Sequence, residues 1–414
     1  MIKKPELLAP AGDFEKLQTA CIYGADAVYL SGKNFGLRAS AKNFGYEELK
    51  KAVDYAHGFA GKRINVYVTV NIFAHNSDFI ELPDYLRYLE EIGADAVIVS
   101  DLGVFSVAQR ELKNTQIHIS TQANTTNYVS AKFWAELGAS RIVLARELSL
   151  GEIREINGNL TDAQTEAFVH GAMCMSYSGR CLISNFLTGR DANRGACAQP
   201  CRWEYEPFYI KETSREGEFF PMYEDGRGTY LFNSKDLCMI SHIPELAQSG
   251  LSSFKIEGRM KTPYYIAATL KAYRAAIDDY FTCPEDYERN KGKYLAEIGK
   301  TSNRVFTTGF YFGKPEQIYE SSSYERSYDF AGVVRSYDEE TKIAEIEQRN
   351  KFSVGDTIEV LSPEGGIDGG FAQTITEMRN EKGAVADAPH PKELIYIKME
   401  KPVSENYFLR KKSN

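Results

Sequence analysis

The chain has 414 residues, 43% of them hydrophobic and 26% charged, a globular composition that excludes disordered, collagen-like and low-complexity classes. Lys and Arg number 49 against 57 Asp and Glu, a net charge of −8, so the surface is no broadly basic coat, although a local basic patch suffices for nucleic acid. The longest apolar runs, such as Ala96 to Ser100, are far too short to span a bilayer; with no signal-peptide pattern, the expectation is a cytoplasmic protein without membrane contact.

In chain order, Glu6 to Ala9 reads as a strand and Asp13 to Tyr23 as a helix. The segment Tyr23-Gly24-Ala25-Asp26-Ala27-Val28-Tyr29-Leu30 then introduces a pattern that returns three times, at Ile92 to Val99, at Leu137 to Leu144 and, more loosely, at Ser249 to Ile256. In each copy a helical stretch ends at a glycine suited to a C-cap, and a β-branched run suited to a buried parallel strand follows. Ile64 to Val70, Ile117 to Thr121 and Ala167 to His170 supply the remaining strands, and helical patterns such as Tyr46 to Gly58 lie between. Strands alternating with helices predict a (β/α)8, TIM-like barrel, with room for distortion; a doubly wound parallel sheet is the alternative.

A barrel puts its chemistry where the strands end. Those positions are polar: Lys33 and Arg38, Asn71, Ser100-Asp101, Thr121-Gln122, Arg146-Glu147, His170 and Glu257-Gly258-Arg259. From Gly179 to Gly228 the alternation breaks into a segment rich in Gly, Arg, Tyr and Asn. A long excursion of this kind inside a domain is usually functional. Residues from about 261 to 300 read as helical. Beyond 328 the period becomes alternation, as in Ile343-Ala344-Glu345-Ile346-Glu347, broken by turns such as Pro363-Glu364-Gly365-Gly366. The expected domains are therefore 1–327, a barrel with an insertion at about 174–238 and a helical extension, and 328–414, a small β-barrel.

Of seven cysteines, Cys174, Cys181, Cys197, Cys201 and Cys238 fall close together in sequence. In a reducing compartment such a group points to metal binding or catalysis sooner than to disulfides. No CxxC pair and no HExxH is present, so zinc-ribbon and zincin patterns are absent. Thiolate-rich sites suit zinc or iron–sulfur clusters, and the spacing does not choose between them.

The blocks Glu166-Ala-Phe-Val-His-Gly-Ala-Met-Cys174, Tyr177-Ser-Gly-Arg-Cys181 and Gly195-Ala-Cys-Ala-Gln-Pro-Cys-Arg-Trp203 resemble the collagenase-like "peptidase" family of unclassified catalytic type. Pro5 to Gly12, Asn233-Ser-Lys-Asp-Leu237 and Lys255-Ile-Glu-Gly-Arg259 agree with it. Several members of that family are RNA or quinone hydroxylation proteins. The resemblance implies 5-hydroxylation of a tRNA wobble uridine, a [4Fe–4S] cluster on four cysteines, and prephenate, a small dicarboxylate, as source of the hydroxyl oxygen. It places Cys174 and Cys181 among the ligands and leaves Cys197, Cys201 and Cys238 to supply the other two. With those partners, Arg38, Arg146 and Arg259 are expected to clamp the dicarboxylate, since guanidinium forks match carboxylates. Asn71, Gln122 and Lys235 are the other expected substrate contacts, and Trp203 the stacking platform for an anticodon-loop base. His170, Glu147 and Glu257 are the expected proton-transfer groups. The plainer reading pairs these charges with one another as salt bridges, and the alternative function is the peptidase activity of the family name.

Overall fold

The computed structural model describes residues 2–37, 42–174, 176–177, 181–200, 223–225, 228–230, 235–313, 326–388 and 390–413. They fall into two units, one of residues 1–17, 26–260 and 304–324, the other of 18–25, 261–303 and 325–414. The helical extension, read from sequence with the barrel, thus groups with the C-terminal strands.

The first unit is a closed barrel. Strands β1 Glu6–Pro10, β2 Ala27–Leu30, β3 Asn65–Val70, β4 Ala96–Val99, β5 Gln116–Ile119, β6 Arg141–Val143 and β7 Gln164–Ala172 pair in succession. After a short hairpin of β8 Tyr223–Asp225 and β9 Gly228–Tyr230 and the strand β10 Asp236–Cys238, β11 Ser253–Ile256 closes the ring, parallel to both β7 and β1. Helices alternate with these strands: α1 Phe14–Ile22, α2 Tyr46–His57, α3 Leu82–Glu91, α4 Leu102–Glu111, α5 Tyr128–Glu136 and α6 Leu150–Asn159 before β7, then α7 Ile183–Thr188 and α8 Ile243–Gln248 before β11. Every one of the eight expected strands is present.

The recurring pattern has a local cause. Gly24, Gly93, Gly138 and Gly250 all have positive φ, 95°, 80°, 102° and 86°, the left-handed turn by which a helix ends and the chain enters the next strand. The aspartate two residues later caps the strand alongside: Asp26 accepts from Leu7 N at 2.9 Å and Asp95 from Val66 N at 2.7 Å. The motif therefore ends a helix and starts a strand, and in the two copies with aspartate it satisfies the second amide of the neighbouring strand.

β7 is the exception to regularity. Its first half lies in the barrel, with Glu166 beside Ser253 and Phe168 beside Lys255; its second half runs on and pairs antiparallel with β10, Leu237 opposite Gly171 and Cys238 opposite His170. β10 in turn carries β12, Phe306–Thr307.

Alternate residues of the strands point inward. Leu8, Ala27, Tyr29, Tyr67, Ala96 and Ile98 form an apolar cluster there. Beside it is a buried charged layer. Arg141 of β6 meets Glu6 of β1 at 2.6 Å and Glu166 of β7 at 3.2 Å, and Lys255 of β11 meets Glu166 at 2.6 Å. Since β6 and β1 are not neighbours in the sheet, the first pair spans the interior.

In the second unit, α9 Pro263–Thr282, capped by Thr262, turns through Cys283 into α10 Pro284–Gly299. The expected β segment is an eight-stranded antiparallel half-barrel around Val334, Ile346, Phe352, Ile358, Ile395 and Leu409. Arg410 is buried against Glu297 and Glu359, joining helix and sheet of this unit. No helix of the described residues is long and apolar enough to cross a membrane.

Candidate active site

The C-terminal ends of the barrel strands form a mouth with two chemically different sides. The charged side is built by β6, β7 and β11. Arg146, three residues past β6, lies with its guanidinium 4.0 Å from the centre of the Phe168 ring and its Nη2 3.7 Å from Glu257 Oε2. Stacking on an aromatic face fixes the plane of the fork. Tyr29 of β2 donates to Ile256 O at 3.0 Å and reaches Glu257 Oε2 at 3.4 Å. Tyr311 donates to Phe168 O at 2.6 Å and is buried, fixing the strand that carries the stacked ring.

Glu147 follows Arg146, and burial raises its carboxyl above the usual carboxylate range; its Oε2 is buried without a hydrogen bond among the described residues. His170 is buried on β7, and its carbonyl accepts from Glu257 N at 2.9 Å. The next residue, Gly171, has φ of 110°, and a Cβ there would stand 2.6 Å from Glu257 O. Only glycine lets the end of β11 lie this close to β7. Arg146, Glu147, Glu257 and His170 therefore belong to one side of the mouth.

The other side is neutral. Asn71, just past β3, accepts from Leu37 N at 3.2 Å and donates through Nδ2 to Ser120 Oγ at 3.3 Å and Gln122 Oε1 at 3.1 Å. Ser120 also donates to Gln122 Oε1. β4 lies between β3 and β5, so these bonds cross the mouth as the 4.7 Å contact of the Tyr67 and His118 rings crosses the interior below.

Glu257 turns its carboxylate to Arg146; Arg259, two residues on, is held by backbone and amide oxygens. The guanidinium is buried, donating to Leu37 O at 2.8 Å and Asn43 Oδ1 at 2.6 Å. Its fork anchors the segment between β2 and α2, which the barrel brings over the end of β11. A Cβ on Gly12 would stand 2.2 Å from Arg259 O, so β1 packs equally tightly there. Lys235 is half-exposed and immediately precedes β10. Arg38, Cys201 and Trp203 lie outside the described residues.

The thiols follow the extension of β7. Cys238 is buried on β10 opposite His170, Cys174 is exposed just past β7, and Cys181 and Cys197 flank α7, both partly exposed. Cys197 Sγ accepts from Gln199 N at 3.4 Å. Soft thiolates are the right donors for an iron–sulfur cluster. Among the described residues no three His, Cys, Asp or Glu side chains gather closely enough to hold a metal ion.

Sequence reasoning missed Phe168, Tyr29 and Tyr311, which read as ordinary core aromatics, and the layer of Glu6, Arg141, Glu166 and Lys255. The available signal was a charge at alternate positions of apolar strands, as in Ser253-Phe-Lys-Ile256. Near this layer His118 is fully buried, and burial, reinforced by Arg141 and Lys255, holds its pKa well below the ordinary imidazole value.

Comparison with known proteins adds three relatives. The model for peptidase family U32 matches residues 12–321, and that for the family's C-terminal domain matches 326–410. The chain is 40% identical to tRNA hydroxylation protein P1 of Bacillus subtilis over 99% of this chain and 95% of that one. It is 36% identical to tRNA hydroxylation protein P of Escherichia coli over 98% and 96%. It is 37% identical to the 23S rRNA 5-hydroxycytidine C2501 synthase of Escherichia coli over 66% of this chain and 39% of that one.

Proposed function

We propose that this chain, which belongs to peptidase family U32 through both of its domains, is a tRNA-modifying enzyme that places a hydroxyl on C5 of the wobble uridine. Near-complete coverage of relatives named for tRNA hydroxylation supports tRNA as the substrate. The observation that carries the site assignment is the Arg146–Glu257 pair at the barrel mouth, with Arg146 on the Phe168 ring.

In this reading Arg146 receives a carboxylate of a small dicarboxylate such as prephenate, the proposed source of the hydroxyl oxygen, because a guanidinium fork matches a carboxylate. Glu257 keeps the guanidinium turned into the mouth, and Tyr29 holds Glu257. Glu147, whose carboxyl burial raises above the usual carboxylate range, is suited to hold and return a proton. An anticodon-loop base is already partly unstacked, so presenting it in the mouth costs little. A [4Fe–4S] cluster on four of Cys174, Cys181, Cys197, Cys201 and Cys238 belongs to the proposal; its support is the thiolate donor set beside the β7 extension, and it would supply electron-transfer or Lewis-acid chemistry.

The test is nucleoside mass spectrometry of tRNA from cells lacking the gene. Nucleosides derived from 5-hydroxyuridine should disappear, return with the wild-type gene, and fail to return with Arg146→Ala. Anaerobically purified protein should contain about four iron and four sulfide per chain. An unchanged nucleoside profile in a strain without a redundant pathway refutes the activity, and iron-free active protein refutes the cluster.

A further inference from the structure

The amide network on the neutral side of the mouth has only one consistent polarity. It begins at a group whose role cannot be reversed: the backbone N–H of Leu37 is a donor, so the atom of Asn71 that faces it, 3.2 Å away, is the carbonyl oxygen Oδ1. Leu37 itself is held in place, because its own carbonyl accepts from Arg259 at 2.8 Å. With Oδ1 assigned, the other end of the Asn71 amide is Nδ2, a donor, and it points at Ser120 Oγ and Gln122 Oε1. The Ser120 hydroxyl gives its single hydrogen to the same Gln122 oxygen. Both donors converge on Oε1, which leaves Nε2 as the remaining end of the Gln122 amide.

That NH2 group has no hydrogen-bond partner among the described residues, and Gln122 is half-exposed. The turn that carries it is fixed. Asn124 sits at φ 53°, its backbone N–H donates to Thr121 O and its Nδ2 to Gln122 O, both at 3.0 Å. A left-handed residue other than glycine held in this way marks a backbone conformation imposed by its surroundings. Three links, from Arg259 through Leu37 and Asn71 to Gln122, therefore present two N–H donors at a set position at the ends of β3 and β5.

We infer that Gln122 is the residue that selects uracil over cytosine. At the 4-position uracil carries a carbonyl, an acceptor, whereas cytosine carries an amino group, a donor. A donor that cannot turn over pairs with the first and is set against the second. An unconstrained glutamine would discriminate poorly, since rotating its amide exchanges donor for acceptor; here rotation would oppose Gln122 N–H to the N–H of Asn71 and leave the Ser120 hydroxyl without its acceptor. Reading the base from this side leaves Arg146 and Glu257, across the mouth, to the chemistry. A relative named for 5-hydroxycytidine synthesis makes the choice between the two pyrimidines a meaningful one for this family. The inference rests on the proposed hydroxylation of uridine and adds to it the group that makes the choice.

The experiment uses the full-length protein, purified anaerobically, and two anticodon stem-loop RNAs that differ only in U or C at the target position. Equilibrium Kd and hydroxylated product are measured for each RNA with wild type, Gln122→Glu and Gln122→Met, and melting curves are recorded on the same preparations. Wild type should favour the uridine RNA by about tenfold or more, in line with the discrimination of a good base-edge contact. Gln122→Glu, which puts an acceptor where the donor stood, should lower the uridine-to-cytidine ratio at least tenfold or reverse it. Gln122→Met, which has no donor and keeps the chain length, should bring the ratio close to one. A role confined to bracing Asn71 predicts lower melting temperatures with the ratio unchanged. Wild-type ratios in both variants, with uridine hydroxylation intact in the wild type, overturn this inference alone. A wild type that hydroxylates neither RNA overturns the proposed function and this inference with it.

Discussion

Replacing Glu166 by Gln tests the charged interior of the barrel most directly. Glu166 is 0% exposed and is shared between Lys255 at 2.6 Å and Arg141 at 3.2 Å. Glu6 and Glu166 contribute two negative charges and Arg141 and Lys255 two positive ones, so the layer is neutral. Arg141 keeps Glu6 and the side chain of Gln164 in the variant. Lys255 loses its only anionic partner among the described residues and keeps the faces of Tyr29 and Phe168, at 4.5 and 5.4 Å from the ring centres. The layer is then left with one uncompensated buried positive charge. Breaking a buried pair in this way costs about 3–5 kcal/mol. At roughly 2 °C per kcal/mol for a domain of this size, the melting temperature should fall by about 6–10 °C. Removing both partners with Glu166→Leu and Lys255→Met leaves the Glu6–Arg141 pair neutral, and this double variant should be more stable than either single one. Urea unfolding at pH 7 of wild type, Glu166→Leu, Lys255→Met and the double variant closes the cycle, with Glu166→Gln measured beside them. A loss below about 1 kcal/mol for Glu166→Gln, or a double variant less stable than both singles, would falsify the account of the layer.

Two further outcomes are expected. His118 stays neutral in the folded barrel because burial holds its pKa well down, whereas in the unfolded chain it takes up a proton as pH falls through about 6.5. The unfolded state then binds the extra proton, so stability drops below that pH by up to about 1.4 kcal/mol per unit; His118→Phe should remove this slope between pH 6.5 and 5, and identical slopes in denaturant titrations would show that His118 is not its source. At Gly171, with φ of 110° and Glu257 O in the path of a Cβ at 2.6 Å, alanine should cost about 1–3 kcal/mol in strain and displace Glu257, lowering hydroxylation per folded molecule; a variant that melts and works like wild type would mean that β11 yields freely.

The sequence by itself determined where the strands begin. Gly24 and Gly93 end their helices and Asp26 and Asp95 cap the adjacent strands through contacts a few residues or one strand away, and such short-range preferences are written in the residue types. The polar strand ends were equally legible, because a barrel of parallel strands exposes them at one face whatever its detailed register. Only the tertiary structure decided which charges meet. Glu257 stands two residues from Arg259 in sequence but pairs with Arg146, while Arg259 serves Leu37 and Asn43. Barrel closure and the extension of β7 set that outcome, since the stagger between strands, and not their separation along the chain, fixes which side chains share a level. The same closure turned Glu6, Arg141, Glu166 and Lys255 into one neutral buried layer. Each charge alone would be too costly to bury, and no segment of sequence contains the partners that make the burial possible.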